Sequence, residues 1–219
     1  MREHHAPGSA PGQAALPGFD NADDAATTAP DDVERQQART LFFALRPDAP
    51  TLEALEARRR SIRLEHRLGG SDIDAERLHV TLYFVAGGVG ALPAAMVEGS
   101  RAVASGIAGK PFDVVLDGLV TFATGKEREP LVLLASEAAN PALLLFQQRI
   151  AAAMTAVGLK SPLGRRFTPH LTLLYDARRV AQQATEPIRW TARELLLIES
   201  LTGKQVHRVL GRWPVGAAA

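Results

Sequence analysis

The sequence predicts an α+β fold built as two roughly matching halves. Three observations carry that prediction. Segments of strand and helix character alternate from residue 39 to residue 215. One apolar stretch, HVTLYF at 79–84, returns as HLTLLY at 170–175. The first 38 residues differ from everything after them: they are rich in Ala, Pro, Gly, Asp and Thr, and after Met1 their only large apolar residues are Leu16, Phe19 and Val33. So few apolar side chains cannot offset the entropy of ordering the segment. Residues 1–38 are therefore expected to be a disordered tail, and 39–219 a single domain.

The elements follow in order. RTLFFALRPD, 39–48, reads as a strand running into a proline turn. APTLEALEARRRSIRLEHRL, 49–68, reads as a helix capped by Thr51, with Leu52, Leu55, Ile62 and Leu64 as its apolar stripe, and GGSD ends it. RLHVTLYFVAG, 77–87, is a strand, and a second helix is expected over 92–107. FDVVLDGLVTF (112–122) and LVLLASE (131–137) are strands about a TGKEREP turn. PALLLFQQRIAAAMTAVG, 141–158, is a helix opened by Pro141 and closed by Gly158. HLTLLYD (170–176), RWTARELLLIESL (189–201) and QVHRVLGRWPV (205–215) supply the last strands.

The composition, 46% hydrophobic and 22% charged, is that of a globular protein. No apolar run approaches the ~20 residues of a membrane helix, and the N-terminus lacks the apolar stretch of a secretory signal. The absence of cysteine excludes disulfides, thiolate catalysis and thiolate metal sites, and a cytoplasmic location is expected. Residues 1–39 carry seven acids against three arginines, which leaves the remainder mildly basic. A basic fold suits a phosphate-bearing ligand, although such a surplus is ordinary for a domain of this size. Arginines outnumber lysines 21 to 4.

The echo has chemical content. On a strand alternate side chains share a face, so His79, Thr81 and Tyr83 are expected on one face of the first copy, opposite Val80, Leu82 and Phe84. In the second, His170 and Thr172 share a face with Leu174. With 13 threonines and 28 leucines in 219 residues, two of six histidines followed by an apolar residue, Thr and Leu arise by chance roughly once in several thousand such sequences. Two histidines on one cleft can act as base and acid in a single turnover, and two threonine hydroxyls can donate to a phosphoryl group. Together they suit an in-line displacement at phosphorus without a metal. Two other readings stay open. In one, these are core strands whose histidines bond to backbone. In the other, His79 and His170 hold a metal, but neither motif has an Asp, Glu or His at +2 or +4 to complete the shell.

These residues resemble the 2H phosphoesterase superfamily, named for two His-apolar-Thr-apolar motifs in a pseudo-symmetric fold. Within it the RNA 2′,3′-cyclic phosphodiesterases, historically called 2′-5′ RNA ligases, are the most similar. The resemblance spans about residues 39–215 and rests on LFFALRPD, RLHVTLYF, FTPHLTLLYD and LGRWPV. It implies two lobes, each an antiparallel sheet with helices outside, facing each other across a central cleft. It implies His79 and His170 as the catalytic pair, Thr81 and Thr172 as phosphate ligands, no cofactor, and hydrolysis of a 2′,3′-cyclic phosphate on a nucleoside or RNA end to a 2′-phosphate. A 2′-5′ ligase running the displacement backward, or a non-catalytic RNA or nucleotide binder of the same fold, are the alternatives. Relatives often carry a basic residue two positions before the second His, where this chain has Thr168, and often read FLG after the first motif, where it reads FVAGG.

Other residues qualify on their chemistry. Arg165 and Arg166, just before the second motif, are candidates to clamp phosphate, and Tyr83 to line the cleft. Phe42, Phe43, Phe122 and Phe167 are candidates to stack on a base, though core packing suits most of them better. His207 is a candidate third histidine. Arg58, Arg59 and Arg60 are expected on a solvated helix face. RNA ends or nucleoside cyclic phosphates are the expected partners, with no membrane, and a monomer is expected.

Overall fold

The computed structural model describes residues 37–107, 109–162 and 167–215. The expected tail up to residue 36 lies outside these, as do Arg165 and Arg166. The elements are β1 (Ala38–Leu45), α1 (Ala49–His66), β2 (Ser71–Asp72), a 3₁₀ turn (Ala75–Arg77), β3 (Val80–Val89), α2 (Ala94–Gly106), β4 (Phe112–Thr121), β5 (Glu129–Leu134), α3 (Pro141–Ala156), β6 (His170–Asp176), β7 (Gln183–Ala192), β8 (Glu194–Leu201) and β9 (Val206–Pro214). Gln37, inside the expected tail, is already buried and donates to Thr202 O at 2.7 Å, so the folded part starts two residues early.

The strands form one antiparallel sheet in the order β7-β4-β5-β6-β3-β1-β8-β9, with β2 beside β6. The two expected lobes are its two halves, and they meet at the motif strands. β3 and β6 share one register pair, Val80 with Leu171. Leu41, Phe43 and Leu45 of β1 point into a large core with Leu55 and Ile62 of α1, Val103 of α2 and Ile150 and Met154 of α3. Phe42 and Ala44 point the other way, into a small cluster with Leu196 and Ile198 of β8. β1 is thus covered on both faces, which accounts for its continuous apolar run in place of an alternation.

Three local expectations are corrected. Thr51 does not cap α1. Asp48 does, accepting from Thr51 N at 3.0 Å, and Thr51 Oγ1 donates to the same carboxylate at 2.5 Å; aspartate before a first-turn proline is a strong start signal. The stretch 189–201 is not one strand but two, with Ala192 ending β7 and Glu194 opening β8. β7 escaped notice because it is polar and contains Pro187. It is an edge strand, and Pro187 lies where its register with β4 shifts, a place that tolerates a missing N–H. Finally, Arg59 of the expected solvated triplet is only 8% exposed and donates to Ile73 O at 2.7 Å, tying α1 to the segment that leads into the first motif.

That segment is clamped to the second half. An added Cβ on Gly70 would lie 1.9 Å from Tyr175 O, so no other residue fits there without displacing β6. Gly70 N donates to the buried Asp176 carboxylate at 2.6 Å, and Ser71 and Asp72 pair with Tyr175 and Leu174. The approach to His79 is therefore positioned by the strand that carries His170.

Candidate active site

The register pair Val80–Leu171 sits one residue past each motif histidine. Continuing it one step each way sets His79 against Thr172 and Thr81 against His170, about a local two-fold. Val80 and Leu171 are completely buried on the helix side. All four motif side chains therefore share the opposite face, where each is half-buried.

Both rings are held alike. His79 Nδ1 donates to Arg77 O at 2.6 Å, and His170 Nδ1 donates to Thr168 O at 2.7 Å. A carbonyl only accepts, so the proton is on Nδ1 and each neutral ring presents a bare Nε2. His79 Nε2 lies 3.1 Å from Thr81 Oγ1, a distance at which the hydroxyl donates to it. Each ring also rests on a phenylalanine: Phe42 stacks on His79 at 5.0 Å between centroids, and Phe122 meets His170 edge-on at 4.9 Å. These two of the four candidate phenylalanines reach the site. Phe43 packs in the core, and Phe167 is partly buried against it.

The faces reverse just beyond the threonines. Leu82 is an extra residue in the β1–β3 register, and Leu173 is the extra residue at the equivalent place between β5 and β6. Each bulge turns the next side chain inward. Tyr83 is thus a correction: it is 6% exposed, its hydroxyl donates to Leu159 O at 2.8 Å and accepts from Ser161 N at 2.7 Å, and it braces the loop after α3. Leu174 is likewise fully buried. The bulge brings Tyr175 to the site side instead, half-buried and close enough for the Arg77 charge to act on its hydroxyl. Strict alternation, without the bulge, would put Tyr175 in the core.

Among the described residues, the first histidine has charged company that the second lacks. Burial, aided by the Arg46 charge, the His170 ring and the Arg77 charge, lowers its pKa to about 4 against the opposing pull of its bond to Arg77 O. His207 lies edge-on to it at 5.2 Å, and burial together with His79, Arg77 and Arg46 lowers the His207 pKa to about 3. Burial also lowers the pKa of His170, partly offset by its bond to Thr168 O, and among the described residues no charged side chain contributes. Arg46 and Arg77 were missed in the sequence, although one ends LFFALR and the other stands two before His79. Among the described residues no three of His, Asp and Glu gather to hold a metal ion, and no helix is long and apolar enough to cross a membrane.

Two His-X-Thr strands paired about a local two-fold in an α+β sheet define a two-histidine phosphoesterase architecture. The chain belongs to the 2′-5′ RNA ligase superfamily, whose sequence pattern matches residues 46–204. This superfamily is one of phosphoesterases and ligase-like enzymes. Solved structures share the fold. They include Escherichia coli LigT with ATP (22% identity, TM-score 0.61, 82% of this chain and 99% of that one) and LigT with 3′-AMP (21%, 0.63, 82% and 99%). TT0787 of Thermus thermophilus is another (20%, 0.63, 82% and 100%). No curated protein matches the sequence.

Proposed function

We propose that the chain hydrolyses a 2′,3′-cyclic phosphate, on a nucleoside or an RNA 3′ end, to a 2′-phosphate, with His79 and His170 as a base–acid pair. The carrying observation is the register about Val80–Leu171, which sets each histidine beside the other motif's threonine. A phosphoryl group over that join meets an imidazole nitrogen from each side and a hydroxyl beside each. His79 suits the base. Burial and the charges of Arg46 and Arg77 keep its ring neutral, so Nε2 can take a proton from water as the water oxygen bonds to phosphorus. His170, on which no cation among the described residues acts, suits the acid, giving its Nε2 proton to O3′ as the P–O3′ bond breaks. Thr81 and Thr172 donate to the phosphoryl oxygens as their charge grows. The adenine nucleotides bound to LigT support a nucleotide ligand here. With an RNA 5′-hydroxyl in place of water, the same groups join that hydroxyl to the cyclic phosphate as the P–O3′ bond breaks, the ligase reaction that the superfamily's name denotes.

Incubation with 2′,3′-cyclic AMP and with 2′,3′-cyclic GMP, in the presence of a chelator, tests the reading. Release of the 2′-phosphate is expected. Absence of turnover, or release of the 3′-phosphate alone, refutes it.

A further inference from the structure

We infer that Arg46, Arg77 and His207 form a second anion site beside His79, which holds the phosphate on the 5′ side of the reacting nucleotide. This deepens the cyclic-phosphodiesterase reading and rests on it.

The three residues converge from different parts of the chain. β1 and β3 pair Leu45 with Val80, so the next step of that register sets Arg46 against His79. Arg77 is held two residues before His79 by the bond from His79 Nδ1 to its carbonyl. His207 enters from β9, where it pairs with Ser200 of β8, and its ring lies 5.2 Å from His79 and 5.7 Å from Phe42. Both arginine charges act on both imidazoles, so the group occupies one neighbourhood.

Each residue keeps a buried nitrogen with no hydrogen-bond partner: Arg46 Nε, Arg77 Nε and His207 Nδ1. Buried donors are normally satisfied, and leaving one without a partner is costly. The two guanidinium Nε–H groups are always donors, and His207 Nδ1 is a third in the tautomer that carries its proton there, so the three together point to acceptors that a ligand brings. The acids nearby, Glu76 on Arg46 and Asp74 on Arg77, are exposed and offset only part of the charge, and Arg212 adds to it. The reacting phosphate sits at the Val80–Leu171 join between the two histidines, whereas the cluster lies to one side of that join, toward β1 and β9. A second phosphate, displaced to that side, accounts for the cluster, and the phosphate on the 5′ side of the reacting nucleotide is that group.

The test uses the full chain. Adenosine 2′-phosphate and adenosine 2′,5′-bisphosphate are titrated into wild type, Arg77→Gln, Arg46→Gln and His207→Phe, the last keeping the ring against His79. Arg189→Gln, on the far edge strand, is the control, and a thermal melt confirms each fold. Wild type is expected to bind the bisphosphate at least tenfold more tightly. The advantage should fall below threefold in the three site variants and persist in the control, with binding of the monophosphate changed less than threefold. Equal affinity of wild type for the two ligands overturns the proposal, as does an advantage that survives all three substitutions or an equal weakening of both ligands. Turnover separates the two readings. If cyclic AMP, its 5′-phosphorylated form and the dinucleotide ending in a cyclic phosphate all resist hydrolysis while the bisphosphate advantage stands, the phosphodiesterase reading fails and the anion site remains.

Discussion

The half that carries His79 and the half that carries His170 use the same backbone device in different surroundings. In both, Nδ1 donates to the carbonyl two residues earlier, a phenylalanine supports the ring, and a bulge follows the threonine. Around His79 stand two arginines and a third histidine, whereas His170 meets Phe122 and the Thr168 carbonyl. The shared device fixes which nitrogen faces the substrate. The differing surroundings fix how readily that nitrogen holds a proton. Geometry is symmetric and titration is not, and a base–acid pair needs both conditions.

The sharpest break of the comparison removes one ring at a time. His79→Ala and His170→Ala should each lower kcat by about 10²–10⁴. The double variant should be little worse than either single, since the two act as one relay. Steady-state kinetics on 2′,3′-cyclic AMP reads this, and a double variant slower by the product of the singles would mean that the halves act independently.

Thr81→Val and Thr172→Val ask whether the hydroxyls are as equivalent as the backbone. Each should cost roughly 1–3 kcal/mol of transition-state stabilisation. Thr81→Val should cost more, because it also removes the partner of His79 Nε2. Equal losses would show that this contact is idle.

The pH dependence exposes the asymmetry directly. kcat/KM should rise through the His79 pKa of about 4 and fall through the His170 pKa, which lies below the ordinary 6.5, so its maximum belongs on the acid side of 6.5. A plateau from pH 7 to 9 would contradict the assignment of base and acid. Stability carries the same signature. The unfolded histidines protonate near 6.5, while folded His79 and His207 resist until about 4 and about 3. Stability is thus complete above 6.5 and lost as pH falls toward 4. The Tm of His207→Phe should fall less over that window than that of wild type.

The smallest effect on turnover is expected at Tyr83. Tyr83→Phe removes the hydroxyl that bonds both the Leu159 carbonyl and the Ser161 amide. It should lower stability by roughly 1–3 kcal/mol and leave kcat unchanged. A large loss of kcat with an unaltered Tm would return Tyr83 to the site.

Much of this was legible in the sequence because two periodicities coincide there. The echo placed both histidines and both threonines on strands, and a period of two put them on one face as far as the threonines. It failed one residue later, at Tyr83 and Tyr175, because a bulge adds a residue without leaving a compositional mark. β7 was missed because an edge strand need be neither apolar nor free of proline. Arg46 was missed because its proximity to the site depends on the β1–β3 register, which only folding reveals.

The pairing of Val80 with Leu171 makes the motifs a palindrome in space. A phosphodiester turned end for end over that join meets the same four groups in the same order. Bond making and bond breaking are then interchangeable as far as the motifs are concerned, and they encode no direction. Whatever preference the protein has for water over a 5′-hydroxyl as the attacking group must be written in the residues that break the two-fold, so a search for its determinants belongs outside the motifs.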